Sequence, residues 1–486
     1  RNRCPGRMIP FLPQFLHNED PWSYNPDLGT PIWNLSQYRS DGGEPFHSFC
    51  HTYYTYVPPA EFYAQHPEYY GFTRDNAPKE PPSANGGKLC LTNPEVRKIA
   101  AERLKETIRR DRAKERSFGV QPPRFYDLSM MDSSSAGTME CPCPTCRDFV
   151  KQHGAESDLL IEFVNAVAAA VEEDYPGVTI TTLAYYYNMV PPKQVKPRGN
   201  VLVEWCNWGG APDAGPFLDR ALTHPENAWR LKTLHGWRDI GARLGMWEYM
   251  NLAINWAPYA SVPMTIAPYS IGNLQVYNGV AAEWLFDCSA GAKAAPWEFE
   301  SFVSLRRWST LRLMLDPACD VPTMLDTFFS GYFGPAGGKL REFYDLLVEC
   351  QERPREKRQL ARRSATLNYL TPEFYQTVQR LFDEAVAACA TDADALLRVR
   401  QERLRVDLSL LELWGDLERQ LPDGRNLPFA RAAVIDRFEA NGKAVIEGRS
   451  WSDKALFARN LAKEVAYRRE PRLPDLAATL DPREVC

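Results

Sequence analysis

Six stretches rich in apolar and aromatic residues each end in polar side chains capable of chemistry. They are 43–57 (GEPFHSFCHTYYTYV), 123–132 (PRFYDLSMMD), 178–187 (VTITTLAYYY), 200–206 (NVLVEWC), 243–250 (RLGMWEYM) and 279–287 (GVAAEWLFD). Their ends carry His51, Asp132, Tyr187, Glu204, Glu248 and Glu283. Carboxyl groups that meet across a cleft divide the work of proton donor and charge stabiliser, and flat aromatic faces beside them can stack on a sugar ring. Parallel strands closed into a barrel gather such residues at their carboxyl ends.

The elements between these stretches fit that arrangement. Asn93-Pro94-Glu95 opens a helix to about Arg116, with Asn93 as cap and Pro94 in the first turn. Over 157–174 the residues Leu159, Leu160, Phe163, Val164, Val167 and Val171 form one helical stripe, which Tyr175-Pro176-Gly177 ends. A further helix is expected over 225–244 and another over 297–315, where Asp316-Pro317 breaks it. Alternation of this kind predicts a parallel α/β sheet, and the count favours a (β/α)8 TIM-like barrel one strand short. The expected division is a catalytic barrel over 1–316 and a helical region over 317–486. A short strand is expected over 8–12, and 58–92 reads as a long loop with a short helix at its start.

Bulk properties narrow the class. The 486 residues have 44% hydrophobic content and a net charge of −5 with both signs interspersed, which suits a globular protein and gives no electrostatic case for nucleic acid. No apolar run is long enough to span a membrane. The chain opens on RNRCPGRMIP with no visible signal peptide, as a mature or trimmed secreted or periplasmic protein does. Nothing in the sequence fixes the oligomeric state.

Neighbouring strands lie about 4.8 Å apart, so Glu248 and Glu283 at equivalent heights would approach to about 5–7 Å, close enough for one to hold a proton at neutral pH. Each is otherwise an ion-pair partner for an arginine. Asp132 either binds a sugar hydroxyl or acetamido group or caps a turn. Glu204 faces inward as a substrate ligand if Val203 packs outward. His51 is a sugar ligand or a satisfied core histidine. Tyr185 and Tyr187 are expected to share one strand face. Trp208, Trp247, Trp256 and Trp284 are stacking platforms or core. Cys141, Cys143 and Cys146 have the compactness of a structural zinc knuckle needing a fourth ligand, Cys90 or a histidine; the alternative is oxidation. Catalysis itself calls for no cofactor.

An ordered series carries a resemblance to a known family. It runs His51-Thr-Tyr, Val57-Pro-Pro, His66-Pro-Glu-Tyr-Tyr70, Leu89-Cys-Leu-Thr-Asn-Pro-Glu-Val96, Asp132, Cys141-Pro-Cys-Pro-Thr-Cys146, Leu183-Ala-Tyr185, Pro191-Pro192, Trp247-Glu-Tyr249 and Tyr332-Phe-Gly-Pro-Ala336. In these residues the chain resembles the bacterial "domain of unknown function 4838" proteins, placed with glycoside hydrolase family 163. The resemblance implies a barrel glycosidase with a helical C-terminal region. It also implies endo-β-N-acetylglucosaminidase activity on complex N-glycans, so that the partner is a glycan or glycoprotein. Two departures stand out: the accessory domain that usually precedes the barrel is not in this chain, and many relatives carry aspartate where Glu248 stands. An exo-acting glycosidase on acidic sugars and a non-catalytic glycan-binding protein are the competing readings.

Overall fold

The computed structural model describes residues 7–8, 46–47, 50–72, 77–82, 88–118, 122–132, 141–207, 220–248, 263–287, 301–353, 369–422, 425–448 and 454–470. Within them lies a seven-stranded, wholly parallel sheet. Its strands are β1 (Arg7–Met8), β2 (Phe46–His47), β3 (Phe125–Asp127), β4 (Thr179–Ala184), β5 (Val201–Cys206), β6 (Arg243–Glu248) and β7 (Trp284–Asp287). The order β1-β7-β6-β5-β4-β3-β2 is that of a singly wound sheet opened between its first two strands. Among the described residues no pairing joins β1 to β2, so they do not show closure into the eight-stranded barrel expected from the sequence; what they show is a mixed α/β fold, mostly helical, around a small parallel sheet.

Helices fill the crossovers. They are α1 (Pro94–Phe118), α2 (Pro144–His153), α3 (Glu156–Asp174), α4 (Ala228–Asp239), α5 (Ala267–Gly279) and α6 (Val303–Leu315). Beyond them stand α7 (Val321–Phe333), α8 (Gly337–Glu352), α9 (Pro372–Ala388), α10 (Ala393–Glu412), α11 (Trp414–Arg419), α12 (Arg431–Gly448) and α13 (Lys454–Arg469). Asn93 does cap α1, its Oδ1 accepting from the amides of Glu95 at 2.9 Å and Val96 at 3.3 Å. The stripe of α3 is fully buried from Leu159 to Val171.

The C-terminal helices are pinned to the sheet's crossovers by polar side chains. The Gln351 amide bonds both backbone groups of Thr265 (2.8 and 3.0 Å), the Glu402 carboxylate accepts from the Phe302 amide (3.0 Å), and the Tyr369 hydroxyl donates to the Pro263 carbonyl (2.9 Å). One hydrophobic core runs from Trp205 and Met246 on the sheet to Phe438 and Leu461 in this helical layer. No described helix is long and apolar enough to cross a membrane.

Several strand ends differ from expectation. Among the described residues of the 43–57 stretch only Phe46–His47 is strand; His51 adopts a left-handed backbone (φ 56°), and Tyr53–Tyr56 is a helical turn. β4 stops at Ala184 because Tyr186 is also left-handed (φ 47°) and Tyr186–Asn188 forms a 3₁₀ turn. The periodicity that would place Tyr185 and Tyr187 on one face therefore ends before them. β7 begins at Trp284, since 267–279 is helix and Ala281 (φ 54°) makes the turn.

Candidate functional site at the inner face of the sheet

Strand residues alternate between two faces, and both faces here are buried. The outer face meets the helices. Trp205 Nε1 donates to Thr233 Oγ1 of α4 (3.3 Å), and the Tyr126 hydroxyl donates to Asp111 of α1 (3.3 Å). Register assigns Tyr126, Trp205, Met246 and Glu248 to this face, and Asp127, Thr181, Leu183, Glu204, Cys206 and Trp247 to the inner one.

Glu248 ends β6 on the outer face, wholly buried. Asn207 Nδ2 donates to both its oxygens (2.9 and 3.0 Å), and Asn273 Nδ2 donates to Oε2 (3.0 Å). The hydroxyls of Tyr269 and Tyr277 complete the set, one to each oxygen. Burial first, and the Glu248 carboxylate second, push both phenols well above their ordinary range, so they stay protonated and donate. Arg230 lies behind Asn207, its Nε 3.0 Å from Asn207 Oδ1. These groups come from β6, the residue after β5, α4 and α5; together they bolt helices to strands.

Glu283 precedes the first residue of β7 and so lies at the amino end of the sheet, not the carboxyl end. Its carboxylate takes a bidentate pair from Arg243, Nε to Oε1 at 2.6 Å and Nη2 to Oε2 at 2.8 Å. Arg243 also donates to Thr179 Oγ1 (3.3 Å) and the Gly199 carbonyl (3.0 Å). Since Glu248 pairs with Asp287, Glu283 sits four residues lower along β7, about 13 Å at the rise of a strand. The two acids expected to converge occupy separate environments, and their reading as a catalytic pair is withdrawn. Trp284, the opening residue of β7, pairs with Gly245 and so stands level with Glu204, below the carboxyl rim of the sheet.

The inner face holds a different pair. Asp127 ends β3 with no exposure; it accepts from Thr52 Oγ1 (2.8 Å), Ser129 Oγ (2.7 Å) and Thr181 Oγ1 (3.4 Å). Burial pushes its carboxyl up to about 7, against those hydroxyls, which pull it down. Glu204, mid-strand on β5, is 2% exposed. Burial first, and the Asp127 charge second, raise its carboxyl well above the usual range. Its Oε2 has no hydrogen-bond partner among the described residues. A buried polar atom left unpaired costs about 1–3 kcal/mol, so it calls for an explanation beyond packing.

Other expected residues gather at the carboxyl ends nearby. His51 receives no strand geometry but is held firmly: its amide donates to Ser129 Oγ (2.7 Å), and its Nδ1–H donates to the Met130 carbonyl (2.7 Å), which leaves Nε2 as the ring's other polar atom. Its ring is 6.3 Å from that of Tyr185. Tyr185 follows β4, buried, with its phenol pushed up by burial, by Tyr186 and by the charge of Asp132. Asp132 itself is exposed. Trp247, on the inner face beside Cys206, is buried. Tyr187 falls within the 3₁₀ turn, half-buried. Trp208 and Trp256 lie outside the described residues.

Asp127, Thr52 and Ser129 were not anticipated. The available signal was the pair Asp127 and Ser129, polar residues two apart in an otherwise apolar stretch. The left-handed residues His51 and Tyr186, neither glycine, stand where β2 and β4 hand over to this site; strain of that sort clusters at functional positions.

A second constellation is built from cysteines. Cys141, Cys143 and Cys146 meet Cys90, the four Sγ atoms all within 4.8 Å of one another.

The chain belongs to the family described as Domain of unknown function (DUF4838), whose match spans residues 13–345. A search of curated proteins finds no match. Among solved structures the chain is similar to a β-N-acetylhexosaminidase from Bacteroides fragilis NCTC 9343, at 13% identity and a TM-score of 0.26, covering 46% of this chain and 40% of that one. It is also similar to a GH138 enzyme targeting pectin rhamnogalacturonan II, at 11% identity and a TM-score of 0.29, covering 78% of this chain and 55% of that one. Likenesses this distant carry no assignment, and the chain spans only about half or less of either protein.

Proposed function

We propose that the protein is a glycoside hydrolase whose proton donor is Glu204. The carrying observation is a glutamate on the inner sheet face whose carboxyl burial raises well above its ordinary range and whose Oε2 meets no partner among the described residues. A general acid needs that combination: a proton held in reserve and an oxygen free to present it to a leaving group. Asp132, at the rim beside Tyr185, is the carboxylate that meets the sugar or its acetamido group. His51 and Tyr185 supply hydrogen bonds to the substrate, and Trp247 supplies an apolar wall.

The family resemblance supports the finer reading: an endo-β-N-acetylglucosaminidase acting on complex N-glycans, in a secreted or periplasmic setting. A complex N-glycoprotein incubated with the full chain should release glycans ending in a single N-acetylglucosamine, read by mass analysis. Release of monosaccharides alone would replace this with an exo-acting enzyme. Binding without any release would make the protein a glycan-binding one and end the hydrolase proposal.

A further inference from the structure

Cys90 stands just before α1, and the other three cysteines flank the start of α2, so the cluster joins segments some fifty residues apart. Cys90 Sγ lies 3.7 Å from Cys143 Sγ and 3.9 Å from Cys146 Sγ. Four thiolates around zinc, each about 2.3 Å from the metal in a tetrahedron, stand about 3.8 Å from one another. A disulfide requires about 2.05 Å. The spacing is therefore that of ligands sharing a centre, not of sulfurs bonded in pairs.

The surroundings fit a thiolate cage. The Cys146 amide donates to Cys143 Sγ (3.4 Å), as expected where the negative charge of a coordinated sulfur is spread by backbone donors. The Thr92 hydroxyl reaches Cys146 Sγ at 3.1 Å and Cys90 Sγ at 3.7 Å. Gly71, with φ 78°, packs so closely that a Cβ there would come within 3.1 Å of Cys141 Sγ and 3.0 Å of Pro142. Soft sulfur donors in a compact tetrahedral set select zinc over hard cations such as magnesium or calcium.

From this geometry we infer a structural zinc site formed by Cys90, Cys141, Cys143 and Cys146. Four protein ligands leave no open coordination position, so the metal holds structure and activates no water. Its loading exchanges four thiol protons for one Zn²⁺. Its mechanical role is to tie the segment before α1 to the start of α2. The site is independent of the hydrolase reading.

The test is metal content and thiol state of the purified full chain. Elemental analysis should find about one zinc per chain, and the cobalt-loaded protein should show the intense visible bands of a tetrahedral tetrathiolate. Cys143→Ser, the least buried of the four positions, should reduce bound zinc at least several-fold. If that variant does not fold, wild-type zinc stoichiometry and the cobalt spectrum decide alone. A zinc-free protein whose Cys90, Cys141, Cys143 and Cys146 are all alkylatable would overturn the inference, as would peptide mapping that finds these four joined in two disulfides.

Discussion

Two buried glutamates on adjacent strands make the most instructive contrast in the molecule. Glu248 on β6 faces the helices and is met by two amides and two phenols; Glu204 on β5 faces inward and keeps one oxygen unmet among the described residues. Their exposures, 0% and 2%, are the same for practical purposes. Burial alone thus separates nothing. The difference lies in whether the fold supplies donors at the site: where it does, the carboxyl group is a structural bolt, and where it does not, the group retains a proton and the capacity to give it.

The largest expected effect is on turnover. Glu204→Gln keeps size and hydrogen-bonding capacity but removes the transferable proton, and glycan release should fall by about 10²–10⁴-fold, the usual worth of a general acid. Circular dichroism and melting temperature should barely move, because glutamine matches the side chain in size and burial already disfavours the charged form of Glu204. Unchanged release would break the contrast.

Glu248→Ala should act the other way, on folding. It strands Asn207, Asn273, Tyr269 and Tyr277 in a dry layer, and losses from broken buried networks run to about 3–5 kcal/mol. Urea denaturation would measure this; a cost below about 1 kcal/mol would mean the network is not holding the helices.

The pH dependence of stability sharpens the comparison further. Asp127 has a folded pKa raised to about 7 from an ordinary value of 3.8. Between those values the folded state holds more protons than the unfolded one, so stability is full below about pH 4 and is lost as pH rises through about 7. Asp127→Asn should flatten that component of a melting-temperature profile over the same window. A profile identical to wild type would show that Asp127 does not titrate there.

Glu283→Ala should matter least. Its pair with Arg243 is about one-third exposed on each side and screened by solvent, so the loss should be about 1 kcal/mol or less, with glycan release preserved. A large loss of release from a folded variant would return Glu283 to the active site.

Much of the architecture was legible in the sequence. Asn93, Pro94 and the Leu159–Val171 stripe carried local signals strong enough to fix α1 and α3, and the βα alternation gave the parallel sheet. Strand limits were harder. The 279–287 stretch reads as one apolar run, yet its first residues end a helix and turn at Ala281, which moves Glu283 from the top of a strand to its foot. For Glu248 the obstacle was parity. When both faces of a sheet are buried, neither Trp247 nor Glu248 announces which of them points inward, and the answer comes only from helices that arrive later in the chain. Cys90 joined the cysteine cluster as one of two named options, because sequence separation hides the proximity that folding creates.

The central claim is that Glu204 gives its proton to the departing oxygen. Its most direct test is the rate of Glu204→Gln, relative to wild type, on two aryl glycosides of the same released sugar, one with a leaving group acidic enough to depart unprotonated. The account predicts a deep defect on the poor leaving group and near-recovery on the good one; an equal loss on both, or none on either, would contradict it.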